Sequence, residues 1–144
     1  MNVVKSPAWI SLIWFGMTIG ISMLATPVRF TASTITRPVA LDVGRVVFAA
    51  LNKAEFAALI VLLILVRMSG RARTFLAPAF GLALILMTQA TWLLPELSAR
   101  TDLIIAGVEP GASMAHAAYS ILELTKLLLL VYVGFKSLQI LSNR

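Results

Sequence analysis

The sequence has no cysteine, a single histidine and few charges, with only 12% of its residues being Asp, Glu, Lys or Arg. Without cysteine the chain has no disulfide, no thiolate metal site and no cysteine nucleophile. One histidine also excludes a bis-histidine haem within one chain. Soluble domains carry about 25% charged residues, so the composition argues against an ordinary soluble domain.

Familiar catalytic motifs are missing as well. The sequence contains no P-loop, no GxGxxG, no HExxH and no GxSxG. In enzymes these motifs position phosphates, dinucleotides, zinc and a serine nucleophile, respectively. A copper site formed by Met114, His116 and a distant methionine is conceivable, but methionines in apolar helices are usually packing residues. We therefore predict no enzymatic activity, no cofactor and no metal site.

Four long apolar stretches fill most of the chain instead. Spanning a bilayer core takes about 20 predominantly apolar residues, and residues 6–28 and 74–95 contain no charge. The first stretch exceeds the roughly 7–15 apolar residues of a signal peptide, so we expect a membrane helix there. The sequence thus predicts an all-α fold, a four-helix transmembrane bundle that forms one domain over residues 1–144. The expected helices cover approximately residues 8–29, 46–67, 74–94 and 113–136, with irregular connections at 31–44 and 95–112.

The basic residues are distributed unevenly between the two sides of such a bundle. The termini and the middle loop share one side, which carries six basic residues and no acidic one. The other two loops carry four basic and four acidic residues. Because Lys and Arg concentrate in cytoplasmic loops, we predict that both termini are cytoplasmic, in a bacterial inner membrane. This topology, rather than nucleic-acid binding, explains the net charge of +6.

Ionisable groups occur at membrane depth in two of the four spans, where they are costly and often functional. In the fourth span, five polar residues recur mainly at spacings of three and four, and the second and third spans contribute four more. Lipid cannot satisfy such groups, so we expect an intramembrane polar network that faces other helices or water. Its members are Asn52, Lys53, Glu55, Gln89, His116, Tyr119, Ser120, Glu123 and Lys126.

Glu55 and Glu123 lie at matching depth in this topology. Glu55 precedes Arg67 by twelve residues and Glu123 precedes Lys136 by thirteen, which puts both carboxylates about 18–20 Å from the inner boundary at the rise of an α-helix. Two interpretations remain open. Either Lys126 neutralises a carboxylate in a structural network, or a protonated carboxyl carries a proton. In the first case, loss of Glu123 is expected to leave Lys126 as an uncompensated buried charge.

Two ridges of small residues predict close helix packing. The ridges consist of Gly16 and Gly20 in the first span and of Ala50, Ala54 and Ala58 in the second. Our first functional hypothesis is therefore a non-enzymatic accessory subunit or homo-oligomer that acts through helix contacts among membrane lipids. The alternative is a small proton- or ion-coupled transporter, in which the carboxylates titrate, Lys126 balances them and His116 relays protons on the outer side.

Three short segments carry a resemblance to a known family. They are the glycine-containing first span running into residues 26–30, the Trp92-Leu93-Leu94-Pro95-Glu96 segment with Arg100, and His116 near the start of the fourth span. Together they resemble the transmembrane-protein-205-like family of small four-helix membrane proteins. The resemblance implies a four-helix membrane architecture and little chemistry. The loop after Pro95 is shorter here than in the animal members, so a shared partner-binding role is not implied.

Overall fold

The computed structural model describes residues 3–143, and this part of the chain consists of four long helices. These are α1 (Ala8–Thr31), α2 (Arg37–Met68), α3 (Ala72–Ile105) and α4 (Ala115–Ser142), preceded by a short 3₁₀ turn at Val3–Lys5. Each of the four is long and apolar enough to cross a membrane. The predicted all-α class and the prediction of four long apolar helices are thus confirmed.

The four helices form a closed ring. Helix α1 packs against α4 and α2, and α3 packs against the same two helices from the opposite side. The α2–α3 turn, the start of α1 and the end of α4 lie at one end, which we call the terminal end, and the other two connections lie at the loop end. Large apolar side chains fill the terminal half of the ring and pack the four helices together. The most completely buried of these are Trp14, Leu62, Phe75, Leu82, Leu86, Leu130 and Val133.

Helix α2 begins at Arg37, well before the predicted start at residue 46. The sequence predicts an irregular connection over residues 31–44 because of Pro38, and this prediction is wrong. Pro38 occupies the first helical turn, where the N–H that proline lacks would have no intrahelical partner and its restricted φ suits the helix. Only residues 32–36 connect α1 to α2.

Helix α3 continues past Pro95 and ends at Ile105, which corrects the predicted end at residue 94. The connection to α4 is therefore short and covers residues 106–114. Gly107 follows the helix with φ +78°, a left-handed conformation that glycine adopts without steric cost. Helix α4 likewise extends beyond the predicted residue 136 to Ser142.

Two π-helical segments precede two of the prolines through which helices continue. Residues Gln89–Leu93 of α3 are π-helical and come just before Pro95, and Ile19–Ala25 of α1 come just before Pro27 in the same way. A proline removes one backbone donor and crowds the carbonyl four residues earlier. The wider i→i+5 bonding of a π segment relieves that crowding, so neither helix stops at its proline.

The predicted packing ridges point mostly away from the ring. Gly16 is exposed, and a Cβ atom at Gly16 or Gly20 would meet no atom within 4 Å. Ala50 and Ala54 are exposed as well, and only Ala58 is buried. Most of the residues predicted to pack helices together therefore do not pack within this chain.

Two other glycines permit the close helix contacts inside the ring. A Cβ atom at Gly134 of α4 would lie 3.1 Å from Leu12 on α1, and one at Gly81 of α3 would lie 3.2 Å from Leu129 on α4. Both separations are tighter than ordinary contact, so α4 approaches its two neighbours where a side chain is missing. Sequence reasoning did not identify either glycine.

Candidate functional site

A buried lysine lies at the centre of the ring, between two carboxylates. Lys126 Nζ is 2.7 Å from Glu55 Oε1 and 2.8 Å from Glu123 Oε2, and it donates to Gln89 Oε1 at 3.2 Å. None of these four side chains is more than 2% exposed. An ammonium group has three donors, and here it faces three oxygens supplied by α2, α3 and α4.

Helix α1 completes this ion cluster with neutral donors. Trp14 Nε1 and Thr18 Oγ1 each donate to Glu55 Oε1 at 2.9 Å, and Ser22 Oγ donates to Glu123 Oε1 at 3.3 Å. We define the ion cluster as Glu55, Gln89, Glu123 and Lys126 together with these three donors. All four helices thus meet at one set of charges.

The local sequence explains why these groups converge. Glu123 and Lys126 are three residues apart and therefore lie on one helical face. Trp14, Thr18 and Ser22 follow each other at spacings of four, which also places them on one face. Gln89 opens the π segment of α3, and Ser22 lies inside the π segment of α1. Such segments are frequent at functional sites because they shift the register of a helix locally.

The charges of the ion cluster do not balance when every group is ionised. Two carboxylates and one ammonium leave one surplus negative charge in a site that water does not reach. An unpaired buried charge is very costly. Glu55 Oε2 is buried and, within residues 3–143, has no hydrogen-bond partner. One bound proton makes the cluster neutral, so the arrangement has the composition of a proton-binding site.

Two predicted network residues lie directly above the cluster on its loop-end side. Asn52 precedes Glu55 by three residues and Tyr119 precedes Glu123 by four, which places them about 4.5 and 6 Å further along their helices. Both side chains are buried, with 6% of their surface exposed. They separate the charges from a cavity described below.

Three other predicted network residues do not join the cluster. Lys53, His116 and Ser120 are exposed, and Ser120 Oγ donates to the His116 carbonyl of its own helix at 3.0 Å. At about 100° per residue, Ser120 points roughly 90° away from the buried face of α4. Ser120 therefore does not belong to the polar stripe predicted on α4. The buried part of that stripe begins with Tyr119, and His116 is exposed but lines the cavity described below.

A cavity of about 590 Å³ occupies the loop half of the ring. Asn52 and Tyr119 form the part of its wall nearest the ion cluster, and His116 lines it close to the start of α4. On the opposite side of the cluster, the terminal half is filled with apolar side chains. The cavity thus reaches towards the cluster from the loop end, and the apolar side chains close the cluster off from the terminal end. The remaining wall residues include Arg29, Phe30, Gly44, Arg45, Phe48, Lys53 and Leu94.

Sequence reasoning missed Trp14 and the cavity residue Arg29. The indole of Trp14 sits in an apolar helix, yet its N–H is a donor that needs a partner when buried. The spacing of four residues between Trp14 and Thr18 was the signal in the sequence that these two side chains share a helical face. No sequence pattern links Arg29 to Gly44, although the guanidinium packs directly on that glycine.

No protein-family model matches the chain, and comparison with curated proteins and with solved structures finds no similar protein. The resemblance to the transmembrane-protein-205-like family therefore stays a prediction. The features of the chain that bear on its function are therefore the ion cluster, the cavity and the surface of the helices.

Proposed function

We propose that this chain is a multi-pass protein of a bacterial inner membrane, with both termini cytoplasmic, and that it is a small proton-coupled transporter whose proton site is the ion cluster. The observation that carries the proposal is that Glu55 and Glu123 share the single Lys126 at a fully buried position. Such a site is neutral with one proton and carries a negative charge without it. Binding or release of this proton therefore changes the electrostatic energy of the whole bundle core.

Access to the site supports the same proposal. In the proposed topology the loop end faces outward, and the cavity reaches Asn52 and Tyr119, one helical turn from the carboxylates. The apolar terminal half seals the inner side. A transporter opens to one side at a time, so this arrangement corresponds to an outward-open conformation. Inward release requires a second conformation in which the terminal half separates.

The proton itself can be observed by infrared spectroscopy of the purified protein. We expect a band from a protonated carboxyl group at neutral pH, since exposed carboxylates are ionised there and contribute none. Glu55→Gln and Glu123→Gln should each remove the band, because Lys126 then faces one carboxylate and the charges balance. Glu109→Gln is the matched control, since Glu109 is exposed and pairs with Arg37 on the surface. A wild-type protein without the band contradicts the charge argument.

Transport is tested in proteoliposomes that contain a pH-sensitive dye. A potassium diffusion potential, applied alone and with candidate solutes or ions added in turn, should drive proton entry in the wild type under at least one of these conditions. Glu123→Gln should abolish this entry while circular dichroism and gel filtration stay unchanged. Glu109→Gln should transport like the wild type. If wild-type vesicles acidify no faster than protein-free vesicles, both with the potential alone and with each candidate solute or ion added in turn, the transporter proposal fails, and a detected carboxyl band then belongs to a structural network.

A second candidate, an accessory or oligomerising subunit, is favoured by the outward position of Gly16 and Gly20. Neither glycine has an atom near the place of a Cβ, so neither is required by this chain's own packing. Glycines four apart let a further helix approach closely in a membrane. Light scattering in mild detergent should then give a mass above that of one chain. Gly16→Leu with Gly20→Leu should reduce it to a monomer, whereas Ala117→Leu on exposed α4 surface should not. A monomeric wild type without a bound protein contradicts this candidate.

A further inference from the structure

The cavity in the loop half has a positively charged wall. Its lining includes Arg29, Arg45 and Lys53, and among the described residues that line it there is no Asp or Glu. Arg45 is neutralised by Asp42, at 2.7 Å, and by Asp102. Arg29 has no carboxylate within 4 Å in the described part of the chain. The wall thus contains a cation whose counter-ion the protein does not supply.

Packing rather than charge holds the Arg29 guanidinium in place. A Cβ atom at Gly44 would lie 2.7 Å from Arg29 Cζ, so only glycine leaves room for the group there. The rings of Phe30 and Phe48 lie 5.3 and 6.0 Å from the same atom, within the range of cation–π attraction. Arg29 Nε is buried and, among residues 3–143, has no hydrogen-bond partner. The guanidinium is therefore positioned at the cavity with donor capacity unused.

Asn52 supplies a second unused donor to the same cavity. Its side chain is 94% buried, since only 6% of its surface is exposed, and its Nδ2 atom has no partner within the described residues. Buried polar atoms nearly always have a partner, so an unpartnered amide on a cavity wall indicates a missing acceptor. Gly44 and Asn52 are eight residues apart on α2, which separates the two donors by about 12 Å along the helix.

From these observations we infer that the cavity binds an elongated anionic amphiphile, with a carboxylate or phosphate head on Arg29 and an apolar body that carries a further oxygen acceptor towards Asn52. Most of the remaining wall is apolar, and the volume of about 590 Å³ lies within the range of small-molecule sites, about 300–1,000 Å³. The exposed side chains of Val46 and Phe30 belong to this wall, so the cavity reaches the lateral surface of the bundle. The ligand can thus enter from the membrane. This inference does not depend on proton transport.

The test measures binding to the purified full chain in a neutral detergent by titration calorimetry. The anionic probes are 12-hydroxyoleate, which carries a further oxygen on its chain, and phosphatidylglycerol, whose ester groups supply one. The methyl ester of 12-hydroxyoleate, phosphatidylcholine and inorganic phosphate are the comparisons. At least one anionic probe should bind about tenfold or more tightly than its partner without net charge, because charge-assisted hydrogen bonds are among the strongest in proteins. Binding of 12-hydroxyoleate alone identifies a free carboxylate amphiphile, and binding of phosphatidylglycerol alone identifies a lipid headgroup.

Two variants and one control variant locate the binding site. Arg29→Gln and Gly44→Ala should each weaken the anionic probe by about tenfold or more, the second because the new methyl group displaces the guanidinium. Arg37→Gln is the control, since Arg37 is an exposed arginine at the same end and already pairs with Glu109 at 2.9 Å. Equal binding of charged and uncharged amphiphiles, equal binding of inorganic phosphate, or unchanged affinity in Arg29→Gln would overturn the inference. The comparison of probes on the wild type decides the question even if a variant does not fold.

Discussion

Within the ion cluster the lysine and the two carboxylates are not equivalent. Lys126 contacts both carboxylates, whereas each carboxylate contacts the same single lysine. Removing the lysine leaves two buried carboxyl groups with neutral donors only, and therefore without any counter-charge. Removing one carboxylate leaves a balanced pair. This corrects the expectation from the sequence that loss of Glu123 would strand Lys126, because Glu55 lies on its other side.

We therefore predict that Lys126→Met destabilises the bundle by about 3–5 kcal/mol, the usual cost of breaking a buried ion pair. Glu123→Gln should cost only about 1 kcal/mol, as for one exchanged hydrogen bond. Unfolding in mixed detergent micelles, followed by circular dichroism, compares the two. The triple variant Lys126→Met, Glu55→Gln, Glu123→Gln should recover part of the loss, because it contains no buried charge. Equal stability of the two single variants would contradict this order.

At the level of helices, the breaks between elements depend on a few backbone positions. Gly70 and Gly107 have positive φ angles of 67° and 78°, and they follow the ends of α2 and α3. Proline does not end a helix at the corresponding places, since Pro38 starts a helix and Pro95 lies inside one. Glycine conformation rather than proline therefore limits α3.

Gly107→Ala should destabilise the protein by about 1–2 kcal/mol, the cost of a left-handed conformation for a residue with a Cβ atom. Gly111→Ala is the matched control in the same connection, because Gly111 has no positive φ and nothing near its Cβ position. Detergent unfolding midpoints of the two variants provide the measurement. If both substitutions have the same effect, the turn at Gly107 is not as described.

Sequence reasoning identified the elements but not their ends. Apolar length predicted four helices, because any span needs a minimum run of residues, and helical periodicity brought Glu123 and Lys126 to one face. The ends were missed because a proline signals either a break or a first turn, and the π segment before Pro95 leaves no mark in the residue pattern. His116 and Ser120 were assigned to the intramembrane polar network because spacing alone does not decide the width of a buried face.

For the whole molecule, the absence of cysteine allows a direct test of orientation. In the proposed topology, Arg71→Cys in the α2–α3 turn should react with an impermeant maleimide only after the membrane is permeabilised. Val108→Cys in the α3–α4 connection should react in intact cells. Both positions are exposed, so access depends on the side of the membrane. The reverse pattern would place both termini outside and would turn the cavity towards the cytoplasm.

The contact of Lys126 with Glu55 has a consequence for how the chain is made. Synthesis delivers Glu55 with α2, while its cation arrives only with the last helix, and α4 also closes the ring against α1. Until then the nascent chain holds a carboxyl group supported only by the neutral donors of α1. A chain truncated after residue 110 should therefore be degraded quickly in cells, as pulse-chase labelling would show. Separate expression of residues 111–144 in the same cells should stabilise it, whereas the same segment with Lys126→Met should not.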